Sequence, residues 1–453
     1  MGIWKNYKRK KAAKRRACLE SGSKGWQRYR TKDQKRGLRL YKKICKQTEI
    51  SPDLIVFEAY QGKYYTCSPK AIYEELLENP DYTGYRFAWI VNDPDRHKYL
   101  KNDRLTIVKR GSRSYYEAMA GAKYRIANFL NAPTVPVRDG QIYIQTWHGT
   151  PMKCLGLDMK INGDSAYELK EIHAQFRREA KQMKYLVSPS ADATEKFVSA
   201  FGLTEEERKQ KVLEVGYPRN VKLFTYTEEE VAELREFYGI PEGKKVILYA
   251  PTCRETGYRY GYGYANEIEL DVERLWERFK DTACLLVRWH PMVDAWIPGA
   301  KYRDFLFKLD KVADINRLFV ISDILVTDYS AAMFDFANLR RPMIFYMYDR
   351  EQYQKEIREF YIEPESLPGP VVTSNEALEE ALDKALSTPF VADEKYRAFC
   401  EKYTYLDDAD AAKRVIKAAI KPLVAPDEAE REEAGQDEVS QEAAATKEDV
   451  ISL

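Results

Sequence analysis

A chain of 453 residues that is 44% hydrophobic and 13% aromatic can bury a sizeable core, and its length suits two or three domains rather than one small module. The net charge of +2 conceals an asymmetry: residues 1–47 carry 18 Lys and Arg against Glu20 and Asp33, while residues 426–453 carry 10 acids against Arg431 and Lys447. Seven scattered cysteines without a Cys-x-x-Cys pair speak against a disulfide framework or zinc cluster and for a reducing compartment; no apolar run approaches the ~18–20 residues of a membrane span.

At the N-terminus, apolar Ile3, Trp4, Tyr7, Trp26, Tyr29, Leu38, Leu40, Tyr41 and Ile44 are interleaved with the basic clusters at 8–11 and 14–16. This pattern predicts one or two basic, partly amphipathic helices. Such helices can lie on an anionic membrane surface, each Lys or Arg contributing about 1 kcal/mol. A solvated basic arm and a nucleic-acid-binding arm are the other readings; membrane contact is preferred and nucleic acid is not expected as a partner. No apolar stretch follows the first charges as in a secretory signal, and Asn6 breaks the myristoylation pattern after Gly2. The expectation is a cytoplasmic, peripheral protein.

From residue 53 short apolar runs alternate with amphipathic stretches. Strands are predicted at 54–57, 87–91, 105–108, 124–127, 142–145, 185–187 and 212–215, and helices at 69–77, 112–120, 166–181 and 191–200. A charged helical stretch near 225–239 leads into a second series. Its predicted strands are 246–250, 284–289, 324–327 and 343–346, with helices at 272–280, 315–320 and 331–338. Further helices are expected between 376 and 423, one of them packing back on the first unit. The organisation read here is a basic segment at 1–47, Rossmann-like domains at 48–224 and 225–425, and a disordered acidic tail at 426–453. Two doubly wound α/β domains facing a cleft constitute the GT-B architecture, whose ligands sit beyond the carboxyl ends of the strands.

Polar residues at strand ends are therefore the candidates. His148 follows the strand 142–145 within Gln145-Thr146-Trp147-His148-Gly149-Thr150-Pro151. A histidine titrating near neutrality there can take a proton from an attacking hydroxyl, and Gly149 lets backbone approach a ligand; a histidine that merely packs at a turn is the alternative. Arg288 and His290 end the strand 284–289, and together suit a pyrophosphate. Two of the chain's four histidines thus fall at strand ends, one in each domain. In Thr327-Asp328-Tyr329-Ser330-Ala331, Ser330 is placed to cap the helix that carries Asp335, a turn suited to an anion. Arg254 in Ala250-Pro251-Thr252-Cys253-Arg254 can reach a phosphate; Arg219 in Gly216-Tyr217-Pro218-Arg219-Asn220 can do so or sit on the surface. The Tyr- and Gly-rich loop 257–264 is either an acceptor platform or a plain mobile loop. His97 and His173 fall in polar stretches expected to be exposed. No phosphate-binding Gly-x-x-x-x-Gly-Lys, dinucleotide Gly-x-Gly-x-x-Gly, His-x-x-x-His or Gly-x-Ser-x-Gly occurs, so no cofactor is evident and no metal ligand is assigned, with a divalent metal requirement left open.

Trp-His-Gly-Thr-Pro at 147–151, Gly-Tyr-Pro-Arg at 216–219, Ala-Pro-Thr-x-Arg at 250–254, Arg-x-His-Pro at 288–291 and Thr-Asp-Tyr-Ser at 327–330, followed by Phe334-Asp335, come in this order. The set resembles the CDP-glycerol glycerophosphotransferase family, of teichoic acid primase or polymerase type, over roughly residues 54–386. The resemblance implies a GT-B fold, peripheral membrane association, and attack of an acceptor hydroxyl on the β-phosphorus of CDP-glycerol with release of CMP. It implies His148 as general base, and Arg288 and His290 on the donor pyrophosphate. It also implies Arg219, Thr252, Arg254, Ser330, Ala331 and Asp335 as donor contacts, with Trp147, Gly149, Thr150 and Pro151 around the base. Ala331 stands where relatives often carry a second serine, so one hydroxyl is lost there. A lipid-linked polymer or glycolipid is the implied acceptor. CDP-ribitol as donor, a sugar-transferring GT-B enzyme and an inactive scaffold are the rival readings.

Overall fold

A computed structural model describes residues 23–161, 167–252, 258–259, 263–264, 269–288, 300–309 and 314–423. Arg254, His290, half of the 257–264 loop (257 and 260–262), residues 1–22 and the 426–453 tail lie outside the described residues. The fold is built on two parallel sheets. The first contains β1 (Ser51–Glu58), β2 (Arg86–Val91), β3 (Leu105–Lys109), β4 (Ala122–Ala127), β5 (Ile142–Gln145), β6 (Tyr185–Ser188) and β7 (Val212–Glu214), in the spatial order β3-β2-β1-β4-β5-β6-β7. All its pairings are parallel. Continuous buried runs such as Phe87–Val91 have this cause: crossover helices cover both faces, so both parities of side chain must be apolar.

The second sheet starts with β8 (Lys245–Tyr249). Two short strands outside it, β9 (Tyr258–Arg259) and β10 (Gly263–Tyr264), pair antiparallel with each other. The sheet continues with β11 (Ala283–Val287), β12 (Leu306–Lys308), β13 (Ile324–Thr327), β14 (Met343–Tyr346) and β15 (Val371–Val372), ordered β12-β11-β8-β13-β14-β15. Each sheet therefore runs outward in one direction from its first strand and then reverses. The reversal opens a crevice at β1/β4 in one sheet and at β8/β13 in the other. The short edge strands β12 and β15 are absent from the sequence reading, because two or three residues carry no measurable period.

Polar caps set the helix starts. Ser112 accepts from the Tyr115 N–H at 3.1 Å, and Ser190 from the Ala193 N–H at 3.2 Å. The closing helix Ala411–Ala419 returns to the first sheet, where Val415, Ile416 and Ala419 join a core with Phe57, Tyr73 and Trp89. Among its described residues the basic segment contains one helix, Ser23–Cys45. Tyr41 and Ile44 bury one side of it against Val56, Tyr116 and Met119, while Lys32, Lys35, Arg36, Arg39, Lys42 and Lys43 stay largely exposed. No described helix is long and apolar enough to cross a membrane. His97, expected to be exposed, is 3% exposed. The turn Pro94–His97 folds it inward, which the polar letters around it do not reveal.

Candidate active site

The carboxyl ends of the two sheets face one another across a cavity of about 230 Å³. From the first sheet, the loops after β1 and β5 bring Tyr60, Tyr64 and the 147–153 segment to its wall. From the second, the turns after β8, β11 and β13 bring Thr252, Arg288 and Tyr329–Ala332. Every described residue expected at the site lines this one cavity: Trp147, His148, Gly149, Thr150, Pro151, Arg219, Thr252, Arg288, Ser330, Ala331 and Asp335. Arg254 and His290 lie outside the described residues.

His148 is held from beneath. Its Nδ1 lies 2.7 Å from the Asn128 carbonyl oxygen, just past β4. A carbonyl only accepts, so Nδ1 carries the proton and Nε2 keeps its lone pair. The ring stacks on Phe129 at 5.2 Å and on Trp147 at 4.6 Å between centroids, with Tyr60 tilted at 5.7 Å. Trp147 itself takes a φ of 51°, a left-handed conformation that costs a non-glycine residue about 1–2 kcal/mol. A buried network holds it there. The Trp147 N–H donates to Gln145 at 2.9 Å; Gln145 donates to Glu179 at 2.8 Å; Tyr143 donates to the same Glu179 oxygen at 2.5 Å.

Burial pushes the pKa of His148 down to about 4, and the positive charge of Arg219 acts in the same direction, against the stabilising bond to Asn128. The expectation of a group titrating near neutrality is corrected here. The imidazole is neutral throughout the physiological range because its aromatic surroundings penalise the charged form.

A buried ionic pair joins the two sheets beside the His148 loop. Arg219 donates from Nη2 at 2.7 Å and from Nε at 3.2 Å to one oxygen of Asp335. Burial alone would lower the Arg219 pKa, but Asp335 and the acidic groups around it carry it above its ordinary value. Asn220 donates to the same Asp335 oxygen at 3.0 Å and to Asp407 at 2.7 Å. Asp407 also accepts from the Tyr217 N–H at 2.7 Å and from Asn338 at 3.0 Å. Asp335 lines the cavity and is also the counter-ion that fixes Arg219. Burial also lowers the pKa of Arg288.

Two further residues take definite structural positions. Gly149 is expected to be a point of ligand approach. A Cβ built there would sit 2.5 Å from the Cβ of Ala331, so its bare backbone is what lets the second sheet's turn come close. Ser330 is expected to cap a helix starting beside it. The helix is Ala332–Ala337, and the Ser330 hydroxyl accepts from the Ala332 N–H at 3.3 Å. Asp328 instead joins two turns: it accepts from the Thr252 N–H at 2.8 Å and so ties the turn after β8 to the turn after β13.

The sequence reading misses Tyr60, Tyr64, Lys153, Asp314 and Asn316 on the lining, and Asn128 and Asp407 behind it. Strand-end position is a usable signal for Tyr60 and Asn128, which follow β1 and β4 by two and one residues.

Residues 40–421 match the family described as CDP-glycerol:poly(glycerophosphate) glycerophosphotransferase. The chain belongs to this family. It is 36% identical over 369 residues to the teichoic acid poly(glycerol phosphate) polymerase of Bacillus spizizenii, covering 81% of this chain and 92% of that one. It is 35% identical over 379 residues to the polymerase of the same name from Staphylococcus epidermidis, covering 83% of this chain but about half, 52%, of that longer one. A solved structure of the wall teichoic acid polymerase TagF superposes with a TM-score of 0.75 at 34% identity, covering 85% of this chain and 93% of that one. A teichoic acid poly(ribitol-phosphate) polymerase of Bacillus spizizenii stands further off, at 27% identity over 388 residues. As in the family at large, the chemistry to be served is phosphoryl transfer, which asks for positioning and charge neutralisation. The cavity is lined by a neutral histidine and by buried Arg219 and Arg288.

Proposed function

We propose that this enzyme transfers glycerol phosphate from CDP-glycerol to a hydroxyl of a teichoic-acid-type or related cell-surface polymer acceptor. The acceptor oxygen attacks the β-phosphorus, forming a new P–O bond. The bond between that phosphorus and the bridging oxygen breaks, and its electron pair leaves with CMP. The hydroxyl proton goes to Nε2 of His148. The observation that carries this reading is His148 itself: its tautomer is fixed by Asn128, it is neutral, and it lines a cavity that Arg219 and Arg288 also line. In this reading residues 48–224 carry the acceptor side and 225–425 the cytidine diphosphate. Arg288, Thr252, Ser330 and Ala331 contact the donor, joined by Arg254 and His290, while Asp335 acts through Arg219.

Glycerol rather than ribitol is supported by the greater identity to glycerol phosphate polymerases. The test offers CDP-glycerol and CDP-ribitol in parallel, with a lipid-linked acceptor and mass-spectrometric readout. Products rising in glycerol phosphate steps with matching CMP support the proposal; ribitol phosphate steps alone would refute the donor. We place the enzyme at the cytoplasmic membrane face, held through residues 1–47. The exposed Lys and Arg of the helix Ser23–Cys45 support this. Liposome co-sedimentation should show binding to anionic vesicles that is lost without residues 1–47; equal binding by the shortened chain would remove the claim.

A further inference from the structure

We infer that Lys153 binds the phosphoryl group that is transferred. The inference rests on the glycerophosphotransferase reading above and adds a residue to it. Lys153 lies five positions past His148 in the same loop and lines the same cavity. The backbone on either side of it is tied to the second half of the chain. The Cys154 N–H donates to the Glu359 carbonyl and the Tyr361 N–H to the Met152 carbonyl, both at 2.8 Å, with Lys153 opposite Phe360 in an antiparallel bridge. Its Cα is therefore fixed with respect to both walls of the cleft.

The side chain is directed as well. Nζ lies 3.3 Å from the hydroxyl of Tyr353 and 5.7 Å from its ring centroid. Tyr353 is fully buried and stacks at 4.1 Å on Tyr329, which lines the cavity. The ammonium is thus steered toward the turn after β13, while its stem starts in the loop that carries the proposed base.

The distribution of charge points the same way. The described cations of the lining are Lys153, Arg219 and Arg288. Arg219 is committed to Asp335 at 2.7 Å. Asp314, the other described acid of the lining, faces Lys70 at 3.4 Å. Arg288 belongs to the second sheet and Lys153 to the first. The reaction divides a diphosphate between those two sides: the α-phosphate leaves as CMP, and the β-phosphate goes to the acceptor beside His148. A cation on the His148 loop suits the phosphate that moves, and a point charge serves a group whose oxygens reorganise during transfer.

The distinguishing probes are CDP, which carries the β-phosphate, and CMP, which does not. Calorimetry on the full chain and on the variants Lys153→Met and Lys153→Arg measures both, alongside CMP release from CDP-glycerol. In Lys153→Met we expect CDP affinity to fall about tenfold, as for a lost charge-assisted bond, with CMP affinity unchanged. Turnover should fall roughly 100-fold, and Lys153→Arg should recover most of both losses. Unchanged CMP affinity also shows that the variant is folded. An equal loss for CDP and CMP, or turnover within about threefold of the original chain, would overturn the assignment. If the original chain binds both nucleotides yet releases no CMP from CDP-glycerol, the donor reading falls, and this inference with it.

Discussion

The two walls of the cleft are held by opposite kinds of force. The wall that carries His148 is aromatic: Phe129, Trp147 and Tyr60 surround the ring, and a single backbone carbonyl sets its tautomer. The wall that carries Asp335 is ionic: a buried Arg219 pair is extended through Asn220 to Asp407. A base must stay neutral, and an apolar surround keeps it so. A diphosphate must meet fixed charge, and a buried counter-ion network keeps the guanidinium from turning away. Arg219 and Asn220 follow β7 of the first sheet, and their bonds to Asp335 of the second join the two sheets beside the His148 loop.

The largest expected effect breaks the ionic wall. Asp335→Ala leaves Arg219 buried opposite no carboxylate and should cost about 3–5 kcal/mol of folding stability in urea denaturation. A cost below about 1 kcal/mol would mean that this wall does not depend on the pair. The next effect tests the closeness of the walls. Gly149→Ala places a methyl group 2.5 Å from Ala331, so turnover should fall at least about tenfold while the melting temperature changes little. Unaltered turnover would show that the two turns do not need to approach so closely. The smallest effect sharpens the aromatic wall. The proton-free form of His148 is the active one, so its contribution is present above its pKa and lost as pH falls through about 4. The kcat/KM for CDP-glycerol should therefore vary less than about twofold from pH 8 to 6. A steep decline centred near 6.5 would mean that the ring is as solvated as an ordinary histidine.

The same contrast explains what is legible in the sequence. All seven strands of the first sheet stand where apolar runs predict them, and the central ones, such as β2 with Phe87–Val91 buried, are written as continuous runs because helices cover both faces. His148, Arg219 and Arg288 are legible because they fall in turns beyond strand ends. Their supports are not. Asn220 and Asp407 are 187 residues apart, and Asp407 follows a helix with no motif around it. Lys153 reads as one more lysine until its neighbours across the cleft, Tyr353 and Phe360, are in place. Asp335 can be picked out as a residue of the site but not matched to its partner, since a local pattern shows where a carboxylate stands and not which cation it faces. The depressed pKa of His148 has the same origin: its cause is tertiary burial, which no local letter pattern records.

The central claim is a neutral histidine acting on an acceptor hydroxyl across from a bound CDP-glycerol. The measurement that tests it most directly is CMP release by His148→Ala in the presence of acceptor, with CDP affinity measured on the same sample. The account predicts a loss of roughly 1000-fold in turnover with CDP affinity retained. Turnover within about tenfold of the original chain, with CDP still bound, would contradict it.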